Sequence, residues 1–116
     1  MTMGKLQTAI KWAWTRITGW FTPRYRALIV ESDLPDTLEK HRVYIVEESG
    51  FQERAALLCP CGCDQVLYLN LLADERPRWR VRVDSNDVAT LAPSVCRKTG
   101  CESHFWLRQG KIHWCP

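Results

Sequence analysis

Pro77-Arg78-Trp79-Arg80-Val81-Arg82-Val83-Asp84 is the stretch that decides the fold class. In an extended chain Trp79, Val81 and Val83 fall on one side and Arg78, Arg80 and Arg82 on the other. A two-residue period is that of a half-buried strand; a helix would mix the two sets. The arginine stripe suits an acidic partner or, equally, an ordinary solvated sheet face. Outward from this strand, residues 27–30, 42–47, 55–58, 65–71 and 88–91 also read as strands. Residues 104–108 and 111–115 flank Gln109-Gly110, a two-residue hairpin loop whose glycine accepts positive φ. The strand at 65–71 is apolar on both faces, with Val66 and Tyr68 opposed to Leu67, Leu69 and Leu71, so it should be central and covered. Ser32-Asp33-Leu34-Pro35 reads as a turn, and residues 37–40 as one helical turn.

The beginning of the chain has a different period. Leu6, Ile10, Ala13, Trp14, Ile17 and Phe21 recur at helical spacing, with Gln7, Lys11, Thr15 and Thr18 between them. Residues 5–21 are therefore expected to form an amphipathic helix, weakened at Gly19 and stopped by Pro23. Trp12, Trp14, Trp20 and the basic residues suit contact with a partner or a membrane surface; packing on its own domain is the plainer alternative. The expected architecture is mainly β (α+β): a small antiparallel sheet with zinc-ribbon-like knuckles and one N-terminal amphipathic helix. Residues 1–25 are read as the appended helix and 26–116 as a zinc-binding β domain.

With 116 residues, 46% hydrophobic and 25% charged, the chain has the size and composition of one globular domain. No apolar run reaches the roughly 18–20 residues that span a bilayer. Lys5, Lys11 and Arg16 interrupt the first apolar positions as a secretory signal would not allow, so a cytoplasmic location is expected. The net charge of +3 is unevenly spread: residues 1–26 carry +5, residues 27–75 carry −7 and residues 76–116 carry +5. A strongly acidic middle block argues against a continuous nucleic-acid surface.

Six cysteines are many for a cytosolic chain of this length. Cys59-Pro60-Cys61-Gly62-Cys63 spaces three of them too closely to pair comfortably with one another, and Pro and Gly make a tight knuckle around them. Cys101-Glu102-Ser103-His104 supplies a second Cys-x2-His knuckle after three strands. Tetrahedral zinc takes four Cys or His ligands, and five candidates compete: Cys59, Cys61, Cys63, Cys101 and His104. Two thiolates one residue apart share an ion only on a bent backbone, so one of the triplet could be spare. Cys96 and Cys115 suit buried free thiols. His104 also suits a general base or acid beside the metal, or a structural hydrogen bond. Glu47, at a strand end before the cysteine segment, could serve as a base on metal-bound water or simply face solvent. His41 and His113 are expected at the surface. The chain has no glycine-rich phosphate loop, no His-Glu-x-x-His and no Gly-x-Ser-x-Gly.

Ala55-Ala56-x-x-Cys59-x-Cys61-Gly62-Cys63, Pro93-Ser94-Val95, Cys101-x-Ser103-His104-Phe105-Trp106 and Gly110-Lys111-Ile112-x-Trp114 together resemble a small bacterial family of Cys/His-rich proteins. Its members lie beside genes for prokaryotic ubiquitin-like proteins and their activating and conjugating enzymes. The resemblance covers residues 40–115 and implies a Cys/Glu/His/His peptidase or deconjugase. Its partners would be a ubiquitin-like protein, its conjugates and the conjugation enzymes. The chain departs from the family at Leu57, where members carry His, and at Asp64, where they carry Gly. In a metal-dependent version Cys59, Cys61, Cys63, Cys101 and His104 are the candidates to hold zinc, and Glu47 assists proton transfer. In a thiol version one cysteine of the triplet attacks and His104 is its base. A non-catalytic zinc module that recruits a protein partner is the alternative.

Overall fold

The computed structural model describes residues 23–97 and 100–115. The expected helix at 5–21 lies outside them. Eight strands follow in order: β1 (Arg26–Glu31), β2 (Arg42–Glu48), β3 (Phe51–Leu58), β4 (Val66–Asn70), β5 (Arg80–Val83), β6 (Ala89–Cys96), β7 (His104–Arg108) and β8 (Lys111–Trp114). Every strand expected from the sequence forms, and no helix occurs among the described residues.

The pairing differs from the single antiparallel sheet expected. There are two four-stranded sheets, ordered β1-β2-β3-β4 and β5-β6-β7-β8. β1 runs parallel to β2, with Arg26 level with Arg42 and Glu31 with Glu47. Residues 37–40 lie in the connection between these two strands and do not form the expected helical turn; their backbone is drawn instead to the start of β2. The loop is fixed by Glu39, whose N–H donates to the Tyr44 hydroxyl at 2.9 Å and whose Oε2 accepts from Arg42 Nε at 2.8 Å.

The sheets enclose one core. Val43 and Ile45 on β2, Ala55 and Leu57 on β3, Leu67 and Leu69 on β4, Leu91 and Val95 on β6, and Phe105 and Leu107 on β7 pack into it. These inward positions alternate with outward ones along each strand, as a strand's two-residue period requires. Trp79, Val81 and Ile112 cover its margin. β4 is not the central, covered strand that its composition suggested. It forms a sheet edge, and Tyr68 stands exposed with its hydroxyl in water. The strands buried on both faces are β2, where Val43, Tyr44, Ile45 and Val46 are all buried, and the second half of β3, where Ala55, Ala56 and Leu57 are.

Backbone bonds join the sheets through the segment before β1. Tyr25 N–H donates to Gly110 O at 2.8 Å, and Ala89 N–H donates to Tyr25 O at 3.0 Å. Gly110 has φ +74, and a methyl group there would lie 2.7 Å from Arg24 Cβ. Only glycine permits this crossing to sit so close to the β7–β8 hairpin.

Candidate active site and metal centre

β3 directs Leu57 into the core, and the next inward position is Cys59, which is buried. The chain then turns sharply. Cys59 N–H donates to Gln65 O at 2.8 Å and Gly62 N–H to Cys59 O at 3.2 Å. Gly62 (φ 90) and Asp64 (φ 62) take left-handed conformations. The family's glycine position is therefore filled here by a residue type that tolerates this region better than most. The bend lets alternate cysteines converge, so all three of the triplet join Cys101 in one cluster. The sulfurs of Cys59, Cys61, Cys63 and Cys101 all lie within 4.8 Å of one another, without a disulfide. Cys59 Sγ is 3.4 Å from Cys61 Sγ and 3.5 Å from Cys101 Sγ.

Four thiolates around zinc at about 2.3 Å stand about 3.8 Å apart in a tetrahedron, so this donor set fits such an ion. Hydrogen-bond donors already address the sulfurs. Arg97 Nη1 donates to Cys63 Sγ at 3.3 Å and to Cys101 Sγ at 3.2 Å. The buried Ser103 has its hydroxyl 2.9 Å from Cys101 Sγ and 3.7 Å from Cys59 Sγ. The Ser103 hydrogen bond draws Cys101 down to about 5, while the hydrogen bond to Cys101 pushes Cys61 up to about 12. Without a cation Cys101 thus favours the thiolate and Cys61 the thiol.

His104 stands apart from this set. Ser103 is the last residue before β7 and His104 is the first residue of the strand. Ser103 reaches the sulfurs, and His104 turns outward, its Nε2 3.0 Å from Ser94 Oγ. Glu47 belongs to the other sheet. Arg42, at the start of β2, is level with the end of β3 that leads into Cys59. Glu47 lies five residues further on, about 16 Å along the strand. His41 packs edge-on against Tyr25, with ring centroids 5.3 Å apart, and His113 is exposed.

Ser94 is the residue that sequence reasoning passed over, quoting it only inside Pro93-Ser94-Val95. β6 and β7 pair Leu91 with Leu107 and Val95 with Phe105, so Ala92, Pro93 and Ser94 together oppose Trp106. This bulge re-aims the Ser94 side chain along the outer face, beside His104. Trp79 Nε1 donates to Ser94 O at 3.3 Å and steadies the bulge. A proline within a strand was the available signal, since it belongs to edges and bulges.

The dyad and the sulfur cluster share their supports. β6 runs from Ser94 to Arg97, and β7 starts with His104 just after Cys101 and Ser103. Arg97 N–H donates to Ser103 O at 2.8 Å, closing the two strands just beyond the dyad. A hydroxyl and an imidazole so placed can together supply a nucleophile and its base.

A family model for the bacterial ubiquitination-like system serine protease (BubE) matches residues 30–115. The chain belongs to the BubE family. No curated protein and no solved structure matches it. The BubE match takes in β2 to β8, all four clustered cysteines, Ser94 and His104. It bears out the resemblance to a family of bacterial ubiquitin-like conjugation systems. The BubE description is of a serine protease, and it does not include the Cys/Glu/His/His chemistry that the resemblance implied.

Proposed function

We propose that this chain is a serine protease that cleaves at the C-terminus of a ubiquitin-like protein, with Ser94 as nucleophile and His104 as its base. The observation that carries the reading is the 3.0 Å contact between Ser94 Oγ and His104 Nε2. It fits the serine chemistry of the BubE description.

Ser94 Oγ attacks the carbonyl carbon of the scissile bond while Nε2 takes the hydroxyl proton. The tetrahedral species collapses as the imidazolium returns that proton to the leaving amine, and the acyl group remains on Ser94 as an ester. A water then gives a proton to Nε2 and attacks the ester. Collapse releases the carboxylic acid and restores the Ser94 hydroxyl.

In this reading Cys59, Cys61, Cys63 and Cys101 hold zinc as a cross-link, which supplies structural rigidity when bound. Four thiolates leave no open position for a catalytic water. That, with Glu47 about 16 Å along β2 from the cluster's level, favours the serine route over a zinc-bound water activated by Glu47. The partners are the ubiquitin-like protein and its conjugates.

The test is a fusion of the cognate ubiquitin-like protein to a reporter. Ser94→Ala and His104→Gln should each slow cleavage by about a thousandfold or more, with metal content unchanged. A Ser94→Ala protein that cleaves at the wild-type rate sinks the proposal.

A further inference from the structure

The sheet face that carries Ser94 and His104 leads along β7 into a basic hollow. His104, Trp106 and Arg108 alternate onto the same face. Register extends that face sideways: Trp106 opposes His113, Arg108 opposes Lys111, and Thr90 opposes Arg82. Here a hollow of about 840 Å³ opens, lined by Arg24, Arg82, Arg108, Lys111 and His113. One carboxylate, Asp84, shares the lining. Its Oδ1 is committed to the N–H groups of Asn86 and Val88, at 2.8 and 2.9 Å.

Three separate parts of the fold supply these cations: the segment before β1, strand β5 and the β7–β8 hairpin. Arg24, Arg82, Arg108 and Lys111 are exposed, and the ion pair found among the described residues is Arg42–Glu39. Against these four cations the lining holds the single carboxylate of Asp84, and among the described residues none of the four forms an ion pair. The Arg108 guanidinium stands 4.5 Å from the Trp106 ring centroid, a cation–π contact that holds it against the strand. From His104 to Arg108 the face runs four residues, about 13 Å at about 3.3 Å per residue. An extended peptide held at Ser94 covers that distance in about four residues of its own.

We infer that this hollow binds an acidic segment of the protein substrate, about four residues from the bond held at Ser94. The inference rests on the dyad reading and adds to it the chemistry of the substrate. Residues 1–22 of the chain fit the hollow poorly, because their charges are Lys5, Lys11 and Arg16 with no acid. Nucleic acid fits poorly as well. A polyanion tracks an extended basic strip, whereas residues 27–75 carry a net −7.

The test is fluorescence anisotropy on full-length Ser94→Ala protein. The probes are labelled hexaglutamate, labelled hexalysine and a labelled single-stranded oligonucleotide. Hexaglutamate should bind and hexalysine should not. Arg82→Glu and, separately, Arg108→Glu should each weaken hexaglutamate binding about tenfold or more, through like-charge repulsion at the contact. Arg54→Glu, on an exposed position of the other sheet, should leave binding unchanged. Failure of hexaglutamate to bind, an equal loss in Arg54→Glu, or tighter binding of the oligonucleotide overturns the inference. Fluorophosphonate labelling of Ser94 in the wild-type protein reports on the dyad separately. A labelled Ser94 without hexaglutamate binding overturns the hollow and leaves the dyad standing. Hexaglutamate binding with Ser94 unlabelled supports the hollow and removes the dyad.

Discussion

Replacing Cys101 with serine tests whether the sulfur cluster ties the two sheets together. Cys101 Sγ meets Cys59 Sγ at 3.5 Å across a sequence separation of 42 residues. An ion held by both thiolates closes a loop of that length. Counted as a cross-link, such a loop removes about 4 kcal/mol of chain entropy from the unfolded state. The substitution also disturbs the bonds from Arg97 Nη1 and Ser103 Oγ, at 3.2 and 2.9 Å. A domain of this size is stable by about 5–15 kcal/mol, so the loss takes a quarter or more of the total. At about 4 °C per kcal/mol, the thermal midpoint should fall by about 15 °C or more. Circular dichroism melts, run with elemental analysis for zinc, read both effects. Cys96→Ser is the control, because Cys96 is exposed and outside the four; its midpoint should stay within about 2 °C of wild type. A Cys101→Ser protein that keeps full zinc and melts within a few degrees of wild type refutes the cross-link.

Phe105→Ala should destabilise the fold by about 3–5 kcal/mol in denaturant unfolding, because Phe105 is fully buried and the core cannot close over its volume. Gly110→Ala should cost about 1–3 kcal/mol, more than Gly50→Ala. Both glycines have positive φ, but only at Gly110 does the new methyl meet Arg24 Cβ at 2.7 Å and Val88 Cγ1 at 2.9 Å; equal melting points would contradict this. In metal-free protein at pH 7, iodoacetamide should modify Cys101 well before Cys61, both being exposed, as mass mapping would show. Cys101, drawn down to about 5 by Ser103, is then a thiolate, and Cys61, pushed up to about 12, is a thiol. Because the Cys101 value is depressed on folding, its contribution to the metal-free fold is present above the usual thiol range and is lost as pH falls towards 5.

Strands were legible because their period is local. Trp79 and Val81 against Arg80 and Arg82 need no knowledge of the rest of the chain. Which strand pairs with which is not local. Nothing in residues 26–31 announces a parallel partner, and Tyr68 reads as a covered residue until its own strand is known to be an edge. Spacing named five candidates, the four sulfurs with His104, but could not choose among them; it did show the need for a bend, which Gly62 and Asp64 provide. The placement of His104 was also within reach. It opens β7 directly after Ser103, and neighbours along an extended chain point to opposite sides, so the two do not both face the sulfurs. Ser94 was harder. A serine in a strand carries no signal by itself, and its position beside His104 depends on three residues of β6 opposing one of β7.

The most direct test of the central claim is covalent labelling by a fluorophosphonate, followed by peptide mapping of the modified residue. The account predicts one adduct per chain on Ser94, lost in His104→Gln while zinc stays bound. Cleavage of the cognate fusion should disappear in step with labelling. An active protein that leaves Ser94 unmodified and loses its activity to a thiol reagent would contradict the account.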